Sequence, residues 1–199
     1  MTNHLMKLVV PTCTVRYFPE GQHCHDALDG DLMLVDHGTF LDRTIEKAQE
    51  ALELTEPDLN GFTWCAHSAI VRGEIDGRTA VSEMGPRGFE RRALFDYVAR
   101  FYAIVSFDVY QEQVNQAMTF DESCEGLYYG WLEYPALILD GLTGAKLSCA
   151  WGDALMCSTH CTYVLMGLGL FPDREACSVV PARLALWCGA KPPLPVALE

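Results

Sequence analysis

Three residue types in this 199-residue chain have the chemistry to cleave an acyl bond together: a thiol, an imidazole and a carboxylate, each beside an apolar segment that can position it. Cys157 stands where a helical segment begins. The partial positive charge and unpaired N–H groups of a helix N-terminus stabilise a thiolate. The same N–H groups, at Cys157 and Ser158, suit the oxyanion of a tetrahedral intermediate. A thiol also needs a base, and His67 opens the strand-like segment His67-Ser-Ala-Ile-Val71. Glu83, on the following segment, has the charge to fix the tautomer of that imidazole.

The pairing of His67 with Glu83 depends on a turn. If Gly73 to Gly77 form a five-residue connection, Arg72 pairs with Arg78 and His67 lies opposite Glu83. A tighter turn at Asp76-Gly77 instead pairs Ile75 with Arg78 and sets His67 against Pro86. Cys161 is the competing nucleophile, one helical turn beyond Cys157 and next to His160. A position inside the helix, however, lacks the unpaired N–H groups, and His160 reads as a helix-surface side chain. Two further sets have ligand types that zinc accepts: His23, Cys24 and His25 with Cys13, and Cys157 with His160 and Cys161. Neither has the paired C-x2-C spacing of a structural site. No metal or cofactor is expected.

The elements that must carry these residues follow from periodicity. Asp31 to Val35 reads as a short apolar strand ending in a turn at Asp36 to Gly38, after which Thr39 can cap a helix. That helix runs through Phe40, Leu41, Ile45, Ala48, Ala51, Leu52 and Leu54, one apolar stripe at spacings of three and four, and Pro57 and Gly61 close it. The hairpin is expected from strands Ala66 to Arg72 and Arg78 to Met84. A short helix is expected over Phe89 to Tyr97 and a strand over Tyr102 to Ser106. Val109 to Tyr134 reads as helical and aromatic-rich, extended by Ala136 to Leu139. The Cys157 helix ends at Gly167 and Gly169, and a last helix over Pro181 to Trp187 begins with proline in its first turn.

Composition narrows the function classes. Half of the residues are apolar, enough for one domain with a full core. With 27 acidic against 14 basic side chains, the net charge is −13, which opposes binding to phosphate backbones or anionic lipid. Nucleic acid is therefore not an expected partner, and Arg87, Arg91 and Arg92 read as a solvated face beside a helix start. No signal peptide is evident, and the apolar run Tyr163 to Phe171 is about half of what a bilayer crossing needs, so stable membrane insertion is not expected. Nine cysteines without regular spacing read as mostly reduced thiols in a cytoplasm.

Five short segments, in order, carry a resemblance. Gly30-Asp31-Leu-Met-Leu, His67-Ser-Ala-Ile-Val, Val81-Ser-Glu83-Met-Gly-Pro-Arg-Gly88, Met156-Cys157-Ser158 at a helix start, and Val180-Pro-Ala-Arg-Leu184 resemble the circularly permuted papain-fold hydrolases. These are the YiiX-like and YaeF-like proteins related to NlpC-type peptidases and, more distantly, lecithin retinol acyltransferase. In them the strand bearing the histidine precedes the helix bearing the cysteine. The resemblance implies an α+β fold, with a small antiparallel sheet from the Gly30, His67, Arg78 and Tyr102 strands packed against the Cys157 helix. It implies Cys157 as nucleophile, His67 as base and Glu83 as orienting group. The expected domain spans 30–190, with a helical insertion at about 107–150, after an N-terminal extension of uncertain order over 1–29. The expected activity is a thiol-dependent hydrolase acting on an amide, peptide or isopeptide bond. Acyl-lipid ester hydrolysis or transfer by the same fold, and an inactive binding protein, are the alternatives. After Cys157-Ser158 this chain has Thr159 and His160, where many relatives carry an acidic residue.

Overall fold

The computed structural model describes residues 12–36, 40–131, 136, 139, 154–171 and 179–192. Their centre is a six-stranded antiparallel sheet of β1 (Cys13–Phe18), β2 (Leu32–Val35), β3 (His67–Ile75), β4 (Arg78–Gly85), β5 (Gly88–Ala93) and β6 (Tyr102–Phe107), in the order β1-β6-β2-β3-β4-β5. The central strands are apolar at nearly every position because both faces are covered. One face presents Leu32, Leu34, Ile70 and Val105 to helices α2 (Gln111–Ser123), α3 (Cys157–Gly167) and α4 (Pro181–Cys188). The other presents Met33, Val35, Ala69, Val71, Val81 and Ile104 to Leu94, Tyr97 and Cys24. Helix α1 (Phe40–Glu53) buries Ile45 and Leu52, and a two-stranded parallel ladder joins β7 (Tyr128–Tyr129) to β8 (Ala154–Leu155).

The mixed α+β class with an antiparallel sheet, and helices α1, α3 and α4, agree with the sequence reading, while four local expectations need correction. Residues Phe89 to Tyr97 are not a helix: Gly88–Ala93 is an edge strand, and only Leu94–Tyr97 forms a 3-10 turn. Phe89, Ala93 and Tyr97 recur at a helical spacing of four, but Arg91 and Arg92 among them are exposed strand positions. Within residues 1–29, Cys13–Phe18 pairs along its whole length with β6, so that segment contributes an edge strand to the main sheet. Helix α2 is shorter than expected, ending at Ser123, and Tyr128 and Tyr129 are extended. Thr39 and most of 132–153 lie outside the described residues.

The fourth correction bears on the site. The hairpin turn is the tight one: Ile75 pairs with Arg78, and Asp76 and Gly77 both have positive φ, 52° and 70°. That is the backbone of a two-residue type I′ turn, for which Asp-Gly is a preferred pair. Carried unbroken to its far end, this register would put His67 and Glu83 on opposite faces. Between Val71 and Glu74, however, β3 holds one residue more than β4, with Gly73 at φ 54°. Beyond this bulge, Val71 pairs with Val81 and Ile70 with Ser82. Continued, that register sets His67 two positions diagonal to Glu83 on the same face. The expected direct pairing is absent, and the bulge restores the contact that the tight turn would have broken.

Candidate active site

His67 is the first residue of β3, so its ring stands at the rim of the sheet, near the start of α3. Nε2 of His67 contacts Oε2 of Glu83 in a hydrogen-bonded ion pair. The ring also hydrogen-bonds the side chain of Cys157. With Nε2 engaged by the carboxylate, Nδ1 is the nitrogen left for the thiol. Burial alone would lower the pKa of His67. The negative charges of Glu83 and Cys157 and the hydrogen bonds to both outweigh it, and the imidazole is raised well above its ordinary value.

Cys157 is the first residue of α3, preceded by the extended N-cap Met156, and no acidic side chain lies in the first turn to neutralise the helix dipole. The amide of Ser158, at the second helical position, precedes the first intrahelical N–H bond, that of His160 to the Met156 carbonyl at 2.9 Å. The hydroxyl of Ser158 is committed elsewhere, donating to the Val179 carbonyl at 2.6 Å. Any oxyanion contact from this residue would therefore come from its backbone. Cys157 is fully buried, packed with Met84 and Tyr129. An open, shallow recess is lined by His67, Glu83, Met84 and Tyr129, and Cys157 is not among its lining residues.

Glu83 has partners that sequence reading missed. Tyr97 donates its hydroxyl to Oε2, and Arg92 stands 3.5 Å from Oε1. Burial pushes this carboxyl up, but the charge of His67, the hydrogen bonds from His67 and Tyr97, and Arg92 outweigh it and hold Glu83 at about 2. Arg92 was expected on a solvated face; it also stacks over the Tyr97 ring at 5.6 Å. Because the pKa is depressed, the contribution to stability is complete above the ordinary value of 4.5 and is lost as pH falls through about 2. In Glu83→Gln, the stability deficit relative to the parent is expected to reach about 3 kcal/mol at pH 5.5 and to shrink to half or less by pH 3. Urea denaturation at the two pH values checks this, and a deficit independent of pH would contradict it. His67, being raised, contributes in the complementary sense, fully below 6.5 and progressively less above. Much of this is the same attraction counted from the other partner.

His160 is a correction. It is fully buried, and its Nε2 bonds Oδ1 of Asp121 at 2.7 Å, so it is no surface side chain. Asp121 also accepts from Ser82 at 2.6 Å and from Arg72, tying α3 to α2, β3 and β4. Cys161 is buried as well, and burial pushes its thiol well up. Among the described residues no group of three or more His, Cys, Asp or Glu side chains is placed to hold a metal ion. The seven described cysteines are free thiols, and no described helix is long and apolar enough to cross a membrane.

No protein-family model matches the chain, and no curated protein matches it.

Proposed function

We propose that this chain is a thiol-dependent acyl hydrolase of the permuted papain-like type, with Cys157, His67 and Glu83 as its triad. The observation that carries the reading is the contact of one imidazole with both a helix-terminal thiol and a buried carboxylate. These are the geometric relations of nucleophile, base and orienting group. His67 accepts the Cys157 proton, and the sulfur adds to an amide carbonyl. The oxyanion sits against the first-turn N–H groups of α3, including that of Ser158. Collapse expels the amine, which takes the proton back from His67. Water, deprotonated by His67, then cleaves the thioester and frees the acid and the thiol.

The amide is favoured over an acyl-lipid ester because the recess beside His67 is rimmed by charged side chains, Glu90, Arg92 and Arg100 among them, which a fatty chain would have to desolvate. Tyr129 and Met84 line the recess and share a buried apolar cluster with Cys157, so the sulfur lies behind the recess wall. The buried sulfur is the one observation favouring a second reading, a binding protein that keeps the triad without turnover.

The test is hydrolysis of a library of fluorogenic peptidyl amides and of short and long acyl esters. Amide turnover that falls by roughly a thousandfold or more in Cys157→Ala is expected, as for loss of a triad nucleophile. Turnover that survives the substitution, or no turnover of any amide or ester while the protein is folded, would overturn the hydrolase reading.

A further inference from the structure

Of the seven described cysteines, six are buried and Cys13 alone is partly exposed. Cys13 begins β1, and its sulfur rests on the last residue of α4. As a thiol it donates to the Cys188 carbonyl at 3.5 Å, and as a thiolate it accepts from the Cys188 thiol. One sulfur therefore lies against both the backbone and the side chain of the same residue, the approach that a disulfide needs. Further along β1, the Tyr17 hydroxyl donates to the Lys191 carbonyl at 2.7 Å, so the strand and the chain leaving α4 run side by side. This is the edge of the sheet beyond β6 and β2, well away from the strand that carries His67.

The two thiols differ as a reactive cysteine and its partner must. The hydrogen bond with Cys188 outweighs burial and holds Cys13 at about 7, so near neutral pH about half of it is thiolate. Burial, with the bond to Cys13, pushes the Cys188 thiol well up and keeps it protonated. An accessible thiolate backed by a buried thiol is the arrangement in which a sulfenic acid is captured as a disulfide before it oxidises further.

We infer that Cys13 and Cys188 form an oxidative modification site, which hydrogen peroxide converts to a disulfide joining β1 to the end of α4. The Cys13 thiolate attacks one peroxide oxygen, forming an S–O bond as the O–O bond breaks and hydroxide leaves. The Cys188 sulfur then displaces hydroxide from that sulfenic acid, its proton leaving with the hydroxide as water. Two thiols lose two electrons in all, and the peroxide is reduced to two waters. The residues joined are 175 apart in the chain, so the bond constrains nearly all of the unfolded state.

The test is hydrogen peroxide at pH 7, in small excess over the reduced protein, followed by mass mapping without reductant. A linked peptide pair holding Cys13 and Cys188, lighter by two hydrogens than the separate peptides, should form before any other cysteine pair, and dithiothreitol should reverse it. In Cys188→Ala, dimedone should trap the sulfenic acid at Cys13. The oxidised parent should unfold at a urea concentration higher by about 1 M, a shift absent from peroxide-treated Cys13→Ser. Cys13 driven to the sulfinic acid while Cys188 stays a thiol would overturn the site. So would a Cys13 that remains reduced under peroxide that oxidises a small free thiol. The linked pair should form equally in Cys157→Ala, so the outcome is independent of the proposed triad.

Discussion

At pH 7, Cys157 in a His67→Ala variant is expected to react with iodoacetamide about thirtyfold more slowly than in the parent. The size follows from the thiolate fraction. An isolated cysteine with a pKa of about 8.5 is roughly 3% thiolate at neutral pH, and burial in apolar surroundings lowers that further. On the proposed reading the sulfur is paired with an imidazolium and stays a thiolate through neutral pH, and the raised pKa of His67 is the imidazole's share of the same pairing. The parent rate should therefore be flat between about pH 6 and pH 8, falling in acid as the sulfur takes a proton. The variant rate should climb about tenfold per pH unit. Cys13 has to be separated from this signal. It is half-buried, and a side-chain hydrogen bond with the Cys188 thiol, outweighing burial, holds it at about 7. The measurement therefore belongs in a Cys13→Ser background with the labelled peptide identified. Equal rates in the parent and His67→Ala, in a variant that retains the parent's circular dichroism, would remove the ion pair and with it the proposed chemistry.

The same residues mark how much a single sequence carries. Cys157 and His67 are legible because each begins an apolar segment of clear period, and the beginning of an element is where a side chain reaches beyond its own layer. Strand β2 and helices α1 and α4 are legible for the same reason, as apolar runs bounded by Gly, Pro or capping positions. The contact between His67 and Glu83 is another matter. Counting along the hairpin required choosing between two turns. The Asp76-Gly77 turn forms and removes the expected pairing, yet the bulge at Arg72 and Gly73 returns Glu83 to the face of His67. The signals were present, an Asp-Gly pair and a glycine three residues before it, but a bulge is only fixed by what both strands pack against. Asp121, Arg72 and Ser82 had no signal of their own. Each is an isolated polar residue in an apolar neighbourhood, and only the crossing of α2, α3 and the hairpin brings them together. Arg92 and Tyr97 were hidden by the wrong period over 89–97, since a helix would have scattered side chains that β5 and the 3-10 turn bring around Glu83.

Replacing Asp121 by alanine is expected to cost about 3–5 kcal/mol of stability, the range for breaking a buried ion pair by removal of one partner. Asp121 is fully buried. Burial pushes its carboxyl up, but the hydrogen bonds and charge of His160, with Ser82 and Arg72, outweigh it and leave the pKa lowered. Without it, the buried guanidinium of Arg72 keeps, among the described residues, the carboxylate of Glu122, at 2.5 Å and largely exposed, where solvent screens the pair. His160 fares worse. Its Nδ1 is already buried with no hydrogen-bond partner among the described residues, and Nε2 would join it. Asp121→Asn keeps the shape and one acceptor, so it should cost less, about 1–3 kcal/mol. A domain of this size has about 5–15 kcal/mol in all, so urea midpoints should order the three proteins clearly. A loss below about 1 kcal/mol in Asp121→Ala would mean that water replaces the carboxylate at no cost. The effect should also reach the thiol. His160 follows Cys157 by one helical turn and, through Asp121 and Ser82, is one of the side chains that tie the start of α3 to the sheet that carries His67. Loosening that tie lets the sulfur drift from the imidazole, so in Asp121→Asn the alkylation rate of Cys157 at pH 7 should fall while the protein is still fully folded, and fall least where the thiolate forms without help, above pH 9.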